Sequence, residues 1–482
     1  MNTSTVIRGG VQDQTLSRFC HFVDAGNGYE GLFHSLSLKV VALRKEIAVS
    51  LRGFPGLLAE ERKAVASQYP HVFMELARHG FINSDDDAQL FAVRDQTSRV
   101  PIRILYLLLT DACNLKCDYC YVRAALPVNH HAQRMSWNVA RKALDLFQAQ
   151  IERESNACAT TPHIILHGGE PFLAWDLISR TLEYVDLLRK HGGLPDSLKF
   201  NINTNGTLIT KDHIAVLSNY PFLVVSVSLD GPQRIHDDSR RDVYGNGSFE
   251  RVSKTIDLLL ANRINVALSC TLTPASVDSS VDTLRWLHHH FPKCPIGFNI
   301  FIDALDLTKS ECVNYSARLA TALVECFEIA QATGIYEDAI MRRVNAFIDG
   351  VIRPSNCGAC GQQIVISPEG MIGVCHAFAG SGKYFLTATE RRDVANHRFW
   401  REWRSRSPLN IDECQGCIAL GNCGGGCPYT AERMTGSIWG IDGLQCAFSK
   451  RLLEHLIARL TRSVVDRAQI DAGFGSFGEA SL

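Results

Sequence analysis

Cys113-Asn114-Leu115-Lys116-Cys117-Asp118-Tyr119-Cys120 follows directly on the apolar run Ile102–Leu109. The CxxxCxxC spacing gathers three thiols in one loop at the end of a β-rich segment. Three thiolates hold three corners of a cubic iron–sulfur cluster and leave the fourth iron without a protein ligand. A structural metal site closes its shell with four protein ligands instead. The loop is therefore built to stay open to a small molecule.

From Ile102 onward, apolar β-rich runs alternate with helical patterns. Strands are expected at Ile102–Leu109, His163–His167, Leu198–Asn203, Phe222–Leu229, Asn265–Leu272 and Ile296–Phe301. Helices are expected near Trp137–Glu152, Asp176–His191, Lys211–Ser218, Phe249–Asn262, Val277–His290 and Val313–Thr333. This alternation implies an α/β fold with a parallel sheet and helices outside. Runs such as Phe222-Leu223-Val224-Val225 read as strands covered on both faces. Periodicity alone does not separate an open sheet from a partial barrel. In either, ligands gather at the C-terminal strand ends, where the cysteine loop lies.

Later strands end in polar signatures of their own. His167-Gly168-Gly169-Glu170-Pro171 follows the second; two glycines let backbone approach a ligand, and a carboxylate beside them can accept an ammonium group. Asn203-Thr204-Asn205-Gly206-Thr207 ends the third and reads as a ribose-facing segment or as a plain turn. Ser226-Val227-Ser228-Leu229-Asp230-Gly231-Pro232 ends the fourth, with Arg240 downstream.

The chain has 482 residues, is 46% hydrophobic and carries a net charge of −1. That exceeds one ordinary domain and suffices for a large core. There is no basic excess to suggest nucleic acid and no charge block to suggest a disordered tail. No apolar run reaches the length of a membrane span, and the N-terminus lacks the apolar stretch of a secretory signal. Seventeen cysteines, odd in number and spread over a large chain, read as metal ligation in a reducing, cytoplasmic setting. Cys20, Cys158, Cys270, Cys294, Cys312 and Cys326 are scattered and read as small buried hydrophobes.

Eight others close the inventory: Cys357-x2-Cys360-x14-Cys375, then Cys414-x2-Cys417-x5-Cys423-x3-Cys427, then Cys446. Eight thiolates complete two closed cubic clusters, and the same spacing also suits a pair of tetrahedral zinc sites. At the other end, Phe33–Arg44 reads as a strand or hairpin, Ala59–Tyr69 as a helix, and Val72–Ile82 as a helix closed by Gly80. A small α+β cap or winged-helix-like module fits residues 1–100. The tail from Ser449 reads as one amphipathic helix that frays from Gly473 to Leu482. His288-His289-His290 reads as a solvated helix face.

The loop resembles that of the radical S-adenosylmethionine (SAM) enzymes, whose CxxxCxxC carries an aromatic residue in the place of Tyr119. Gly168-Gly169-Glu170-Pro171 is similar to their glycine-rich motif. Ser228-Leu229-Asp230-Gly231-Pro232 with Ile235-His236 and Arg240 resembles the anaerobic sulfatase-maturing enzymes. The last cysteines, with Gly370 in a hairpin turn, resemble the SPASM pattern. The resemblance implies a partial (β/α)6 barrel over residues 101–335, a SPASM domain over 336–450, an N-terminal cap over 1–100, and a C-terminal helix and tail over 451–482.

It also implies SAM and three [4Fe-4S] clusters. Cys113, Cys117 and Cys120 hold the SAM-binding one. Cys357, Cys360, Cys375 and Cys427 hold the first auxiliary cluster, and Cys414, Cys417, Cys423 and Cys446 the second. Tyr119 joins the cofactor site; Gly169 and Glu170 meet the methionine amino group, Ser228 the ribose, Arg240 the methionine carboxylate in two-point geometry, and Ile302 the adenine.

The implied activity is reductive cleavage of SAM to a 5′-deoxyadenosyl radical, hydrogen abstraction from a side chain of a ribosomally made peptide, and closure of a thioether or carbon–carbon cross-link. The auxiliary clusters take the surplus electron. The partners implied are a precursor peptide or protein and an electron donor such as flavodoxin or ferredoxin, with no nucleic acid and no membrane. In sulfatase maturases an Asp follows the cysteine that matches Cys375. Here His376 stands there, which is more similar to cross-linking maturases. His376 reads as a general acid or base, its free pKa suiting proton transfer near neutrality, or as a hydrogen-bonding neighbour of the cluster. Side-chain oxidation of the sulfatase-maturase kind and a small-metabolite substrate are the alternatives. For residues 1–100, leader-peptide binding stands beside a plain packing role.

Overall fold

The computed structural model describes residues 15–153, 161–300, 307–386 and 394–473. Three strands, β1 (Cys20–Gly26), β2 (Tyr29–His34) and β3 (Lys39–Arg44), form an antiparallel sheet near the N-terminus. The main sheet starts with six parallel strands: β4 (Ile104–Leu108), β5 (His163–His167), β6 (Lys199–Thr204), β7 (Leu223–Ser228), β8 (Asn265–Leu272) and β9 (Ile296–Ile300). Helices expected between them lie at Trp137–Arg153, Trp175–Lys190, Lys211–Leu217, Phe249–Ala261 and Ser280–His290, with Lys309–Thr333 after the last strand.

The two faces of this sheet differ. Leu105, Leu107, Ile164, Leu166, Phe200, Ile202, Val225 and Val227 point under the helices and are fully buried. The alternate residues Asn201, Asn203, Ser226, Ser228, Ser269 and Thr271 are only half-buried. Asn201 ties the polar face together: its Oδ1 lies 2.9 Å from His163 Nε2, and its Nδ2 donates to Ser226 Oγ at 3.0 Å. The strands are therefore not dry on both sides. Phe222 and Val224 are half-buried beside the fully buried Leu223 and Val225, because one face is open and polar.

Strands from the C-terminal third extend the same sheet. β10 (Gln363–Ile366) pairs in parallel with β4, followed by β11 (Ile372–Gly373) and β12 (Phe385–Leu386) in antiparallel order. The sheet thus crosses the boundary drawn at 335/336. Glu337 fastens the crossing: its fully buried carboxylate accepts from Phe298 N at 2.7 Å, Ala339 N at 3.0 Å and Ile340 N at 2.7 Å, joining β9 to the helix Asp338–Ile348. Burial pushes its pKa up to about 7 against those three amides.

The long helix Gly443–Gly473 begins earlier than expected and lies along Lys309–Thr333. Phe448, Leu452, Leu453 and Ile457 bury on it, each side chain stabilising by roughly 1.5–3 kcal/mol. Its outer side carries the N-terminal sheet. A Cβ on Gly31 of β2 would lie 2.5 Å from Thr461 Oγ1 and 2.8 Å from Ile457 Cγ2, so only glycine permits this approach. Helices Lys45–Gly53, Ala59–Gln68 and Pro70–Arg78 cover the other side of that sheet around Leu43, Phe54, Phe73 and Phe81. Two strands and the helix Asp86–Ser98 were not expected from the sequence. His289 and His290 are exposed, and His290 stacks on Trp286 at 4.1 Å, so the triplet is a solvated helix end. Among the described residues, no helix is long and apolar enough to cross a membrane.

Candidate active site

β4 exits through Thr110-Asp111-Ala112 into the cysteine loop, and β5 exits beside it. Gly169 N donates to Thr110 O at 2.7 Å and Glu170 N to Ala112 O at 2.8 Å. A Cβ on Gly168, whose φ is +145°, would lie 2.1 Å from Thr110 O, and one on Gly169 would lie 2.2 Å from Ala112 O. The glycine pair thus seats one strand exit against the other, which places the loop. The loop is also held from the far side, where Lys116 N donates to Arg241 O at 2.7 Å and Asp118 N to Ser239 O at 3.2 Å. Cys113 is exposed, with Cys117 and Cys120 half-buried. Burial pushes the Cys113 thiol up to about 12, with Glu170, Cys117 and Cys120 adding to it. Three thiols so close ionise together only around a cation.

Asp230 is the hub of the opposite wall. Arg240 reaches it at two points, Nε to Oδ2 at 2.7 Å and Nη2 to Oδ1 at 3.2 Å. Tyr119 Oη donates to Oδ2, and Thr271 N to Oδ1 at 2.8 Å. The guanidinium also lies 5.3 Å from the centre of the Tyr119 ring. Behind it, His236 Nδ1 accepts from Asp230 N at 3.2 Å, so its Nε2 carries the hydrogen toward Ser248 Oγ at 2.9 Å, and that hydroxyl donates to Arg240 O at 2.8 Å. Burial opposes the charge on Arg240, and Asp230, with Tyr119 and Cys117, more than offsets this. The structure therefore brings Tyr119 and Arg240 together, and the two-point grip of Arg240 closes on Asp230, its neighbour across the loop.

Glu170 is likewise held by groups of the fold. It is 0% exposed, with Oε1 accepting from Phe172 N at 3.0 Å and Thr204 Oγ1 at 2.7 Å and Oε2 accepting from Asn205 N at 2.8 Å. Burial raises its pKa against these three donors. The carboxylate ties the exit of β5 to that of β6, because those backbone amides point inward and need an acceptor. Ser228 ends β7 on the open polar face, opposite Ser269. Ile302 lies outside the described residues.

A cavity of about 310 Å³ opens between the exits of β4 and β5, the short helix Tyr121–Ala124 and the turn after Cys375. Tyr121, Val122, Leu126, His167, Met371 and His376 are among its walls. His376 stacks on Tyr106 at 4.9 Å and meets His167 edge-on at 5.3 Å, and His167 Nε2 lies 3.1 Å from Tyr121 Oη. The Nδ1 atoms of both histidines have no hydrogen-bond partner among the described residues. Burial, with His167 beside it, pushes the His376 pKa down to about 3. Burial and the neighbouring His167 thus disfavour the charged form of His376. Sequence reasoning missed His167 and Tyr121. Their positions beside Gly168 and Cys120 were the available signal.

The eight later cysteines fall into two neighbourhoods. Burial raises the Cys375 thiol, and the nearest thiols acting on it are Cys427 and Cys357; Cys360 feels Cys357 and Cys427. Cys414 feels Cys423, Cys417 and Cys446 after burial. The structure thus gathers Cys357, Cys360, Cys375 and Cys427 in one group and Cys414, Cys417, Cys423 and Cys446 in another. Gly424, Gly425 and Gly426, all with φ between +71° and +75°, carry the chain from one group to the other in a left-handed turn that side chains resist.

Residues 107–287 match the family model of the radical SAM superfamily. Over 475 residues the chain is 24% identical to the radical SAM cyclopropyl synthase TigE of Paramaledivibacter caminithermalis, spanning 92% of this chain and 96% of that protein. Over 379 residues it is 25% identical to a cysteine-type anaerobic sulfatase-maturating enzyme of Clostridium perfringens, spanning 75% of this chain and 97% of that one. Its fold matches native anSMEcpe with bound AdoMet at a TM-score of 0.61 and 18% identity, over 75% of this chain and 100% of that chain. It also matches Streptococcus suis SuiB bound to the precursor peptide SuiA, at 0.53 and 15% identity, over 90% and 99%. The chain thus carries a radical SAM domain over residues 107–287, with an open cysteine triad at the exit of its first parallel strand, and is an enzyme of the radical SAM type.

Proposed function

We propose that this enzyme is a peptide maturase that joins two residues of a ribosomally made peptide through a thioether or carbon–carbon bond. It would use SAM, an open [4Fe-4S] cluster on Cys113, Cys117 and Cys120, and two auxiliary [4Fe-4S] clusters on the two cysteine quartets. The carrying observation is the cavity. Tyr121, next to Cys120, and His376, next to Cys375, line it side by side, their ring centres 5.8 Å apart. A side chain held there lies between the open triad and the first quartet. SuiB, of the same fold, holds a precursor peptide, which supports a peptide substrate here.

The donor sets suit the groups: three thiols in one loop, Cys113 exposed and the other two half-buried, and eight in two quartets, in which Cys360 and Cys375 are buried, Cys357 is exposed and the rest are half-buried. When bound, SAM and its cluster supply a 5′-deoxyadenosyl radical by reductive cleavage of the sulfonium. The rest is positioning. Asp230 fixes Arg240 and Tyr119 beside the loop, and Ser228 lines the polar mouth with Gly169. The rings of Tyr121, His167 and His376, with Tyr106 stacked on His376, would hold the substrate carbon and exclude water from it. Closing the cross-link removes two hydrogens from the peptide, one to the deoxyadenosyl radical and one as a proton and an electron, so an electron acceptor is needed, and a cluster on the first quartet would serve. Flavodoxin or ferredoxin would serve as external donor. We read residues 101–335 as a partial (β/α)6 barrel, 336–450 as a SPASM domain and 451–482 as the closing helix and tail. In the cap over 1–100, the outer strand β3 offers a leader peptide an edge to pair with.

The test is tandem mass spectrometry of a peptide encoded beside the gene, after anoxic incubation with SAM and a reductant. A cross-linked product is lighter by two hydrogens and yields no fragments between the joined residues. A product that reacts with a hydrazide instead identifies the second reading, side-chain oxidation, which the likeness to the sulfatase-maturating enzyme favours and which His376 in place of Asp opposes.

A further inference from the structure

Two arginines are buried in the cysteine-rich region without a carboxylate on either guanidinium among the described residues. Arg343 is 1% exposed and Arg406 is 0% exposed. Arg343 donates only to neutral groups: Ser449 Oγ at 3.0 Å, Ala339 O at 2.8 Å, Asn356 Oδ1 at 3.3 Å and Gln445 Oε1 at 2.6 Å. Arg406 donates to Ile438 O and, at 3.2 Å, to Gly440 O, while its Nη1 has no partner. Burying a cation is costly unless negative charge offsets it. Asp442 acts on Arg406 and Glu337 on Arg343 from a distance, but neither carboxylate bonds the guanidinium, so further negative charge nearby would add to the offset.

Their placement says where. Asn356 and Gln445, the acceptors for Arg343, precede Cys357 and Cys446, one in each quartet. Asn422, which precedes Cys423, donates to Arg343 O at 3.0 Å. Arg406 Nη1 lies 3.2 Å from the point a Cβ on Gly425 would occupy, in the turn between Cys423 and Cys427. The charge of Arg406 reaches Cys357, Cys360 and Cys414, and that of Arg343 reaches Cys423. Arg353 lies near Cys423 and Lys450 near Cys446, Cys417 and Cys414. Arg342 is paired with Asp338 at 3.0 Å. Against these cations stands Asp442, whose carboxylate also accepts from Cys427 N and Leu444 N at 2.8 and 3.1 Å. The open triad has the opposite surroundings. Its arginine, Arg240, is neutralised by Asp230, and Glu170 adds a negative charge felt by Cys113.

We propose that Arg343 and Arg406 are built-in counter-charges for the two cysteine quartets and raise the reduction potentials of clusters held there relative to the cluster on Cys113, Cys117 and Cys120. This rests on the auxiliary-cluster reading. Four thiolates around a cubic cluster leave it net negative, and reduction adds one more charge. A buried cation stabilises the reduced form more than the oxidised one, since net charge and burial set such potentials. The device favours electron flow away from the peptide and leaves the open triad strongly reducing.

The test is anoxic potentiometric titration of the reconstituted full chain, followed by electron paramagnetic resonance, for wild type, Arg406→Gln, Arg406→Lys, Arg343→Gln and Arg343→Lys. The triad's signal is identified by its change on adding SAM. Each Gln variant is expected to lower the reduction equilibrium constant of an auxiliary signal about tenfold or more, about 59 mV per tenfold for one electron. The Lys variants should stay within about threefold of wild type, and the triad's signal should not move. Should the Gln variants fail to hold iron, Lys variants with full iron and wild-type potentials still support charge as the required property; Lys variants that also lose iron overturn it in favour of shape. Full iron with unmoved potentials in the Gln variants overturns this inference alone. Iron for a single cluster in wild type overturns the auxiliary-cluster reading and this inference with it.

Discussion

Replacing Asp230 by Asn should undo the wall opposite the cysteine loop. The carboxylate receives four donors, two from Arg240, one from Tyr119 and one from Thr271 N, and the pair is almost wholly buried, at 9% and 3% side-chain exposure. At 2.7 Å and an effective dielectric of about 20, the gross attraction is about 6 kcal/mol. Desolvation offsets much of that when the pair forms. Removing one partner leaves Arg240 buried and uncompensated, so the loss is about 3–5 kcal/mol, a large part of the 5–15 kcal/mol that holds a typical fold. Asn also turns an N–H toward donors. The assay is a double-mutant cycle with Arg240→Gln, read by urea unfolding of the apoprotein and by SAM binding to the reconstituted enzyme. We expect the single variants to be costly, the double variant to recover at least about 1 kcal/mol of the summed loss, and SAM affinity to fall in all three. A loss under about 1 kcal/mol for Asp230→Asn with no coupling would refute the view that this ion pair organises the site.

Acid should loosen the same wall through His236. Burial holds its pKa down at about 4 against an ordinary 6.5, and Nδ1 must stay bare to accept from Asp230 N. The unfolded chain therefore binds more protons between those values, so the stabilisation is present above pH 6.5 and fades as pH falls toward 4, by at most about 3 kcal/mol. Unfolding midpoints measured across that window should slope less in His236→Gln; equal slopes would remove the assignment. Gly31→Ala should push the N-terminal sheet off the closing helix, where its methyl meets Thr461 Oγ1 at 2.5 Å, at a cost of about 1–3 kcal/mol for overpacking. Limited proteolysis should then release fragments near residue 100 faster than in wild type, and unchanged cleavage would contradict the packing.

Strands that carry their own boundaries were legible in the sequence. His163–His167 begins after Pro162 and ends at two glycines, and Asn265–Leu272 is a continuous run, and both are observed as read. The polar face was harder to see, although Lys199-Phe200-Asn201-Ile202-Asn203-Thr204 alternates openly. β10 could not be placed, because pairing Gln363 with Ile104 joins segments far apart in the chain, and a four-residue strand with three apolar residues carries no address. β1 and β2 mix charges and glycine with hydrophobics, since one side meets a helix through Gly31. In the site, spacing marks out the cysteine clusters, and the division into two quartets is what the SPASM resemblance implies. The partners of Arg240 and Glu170 are not marked in this way. A guanidinium beside Asp230 and a carboxylate beside backbone amides satisfy each other inside the fold, and sequence shows only that such groups are present, not that the protein has already claimed them.

Iron and acid-labile sulfide per chain, after anoxic reconstitution, test the account most directly. Wild type should hold about twelve irons, as three cubic clusters require, and Cys113→Ala/Cys117→Ala/Cys120→Ala about eight. About four irons in wild type, falling to none in the triple variant with zinc retained, would contradict the auxiliary clusters and leave the C-terminal cysteines a structural role.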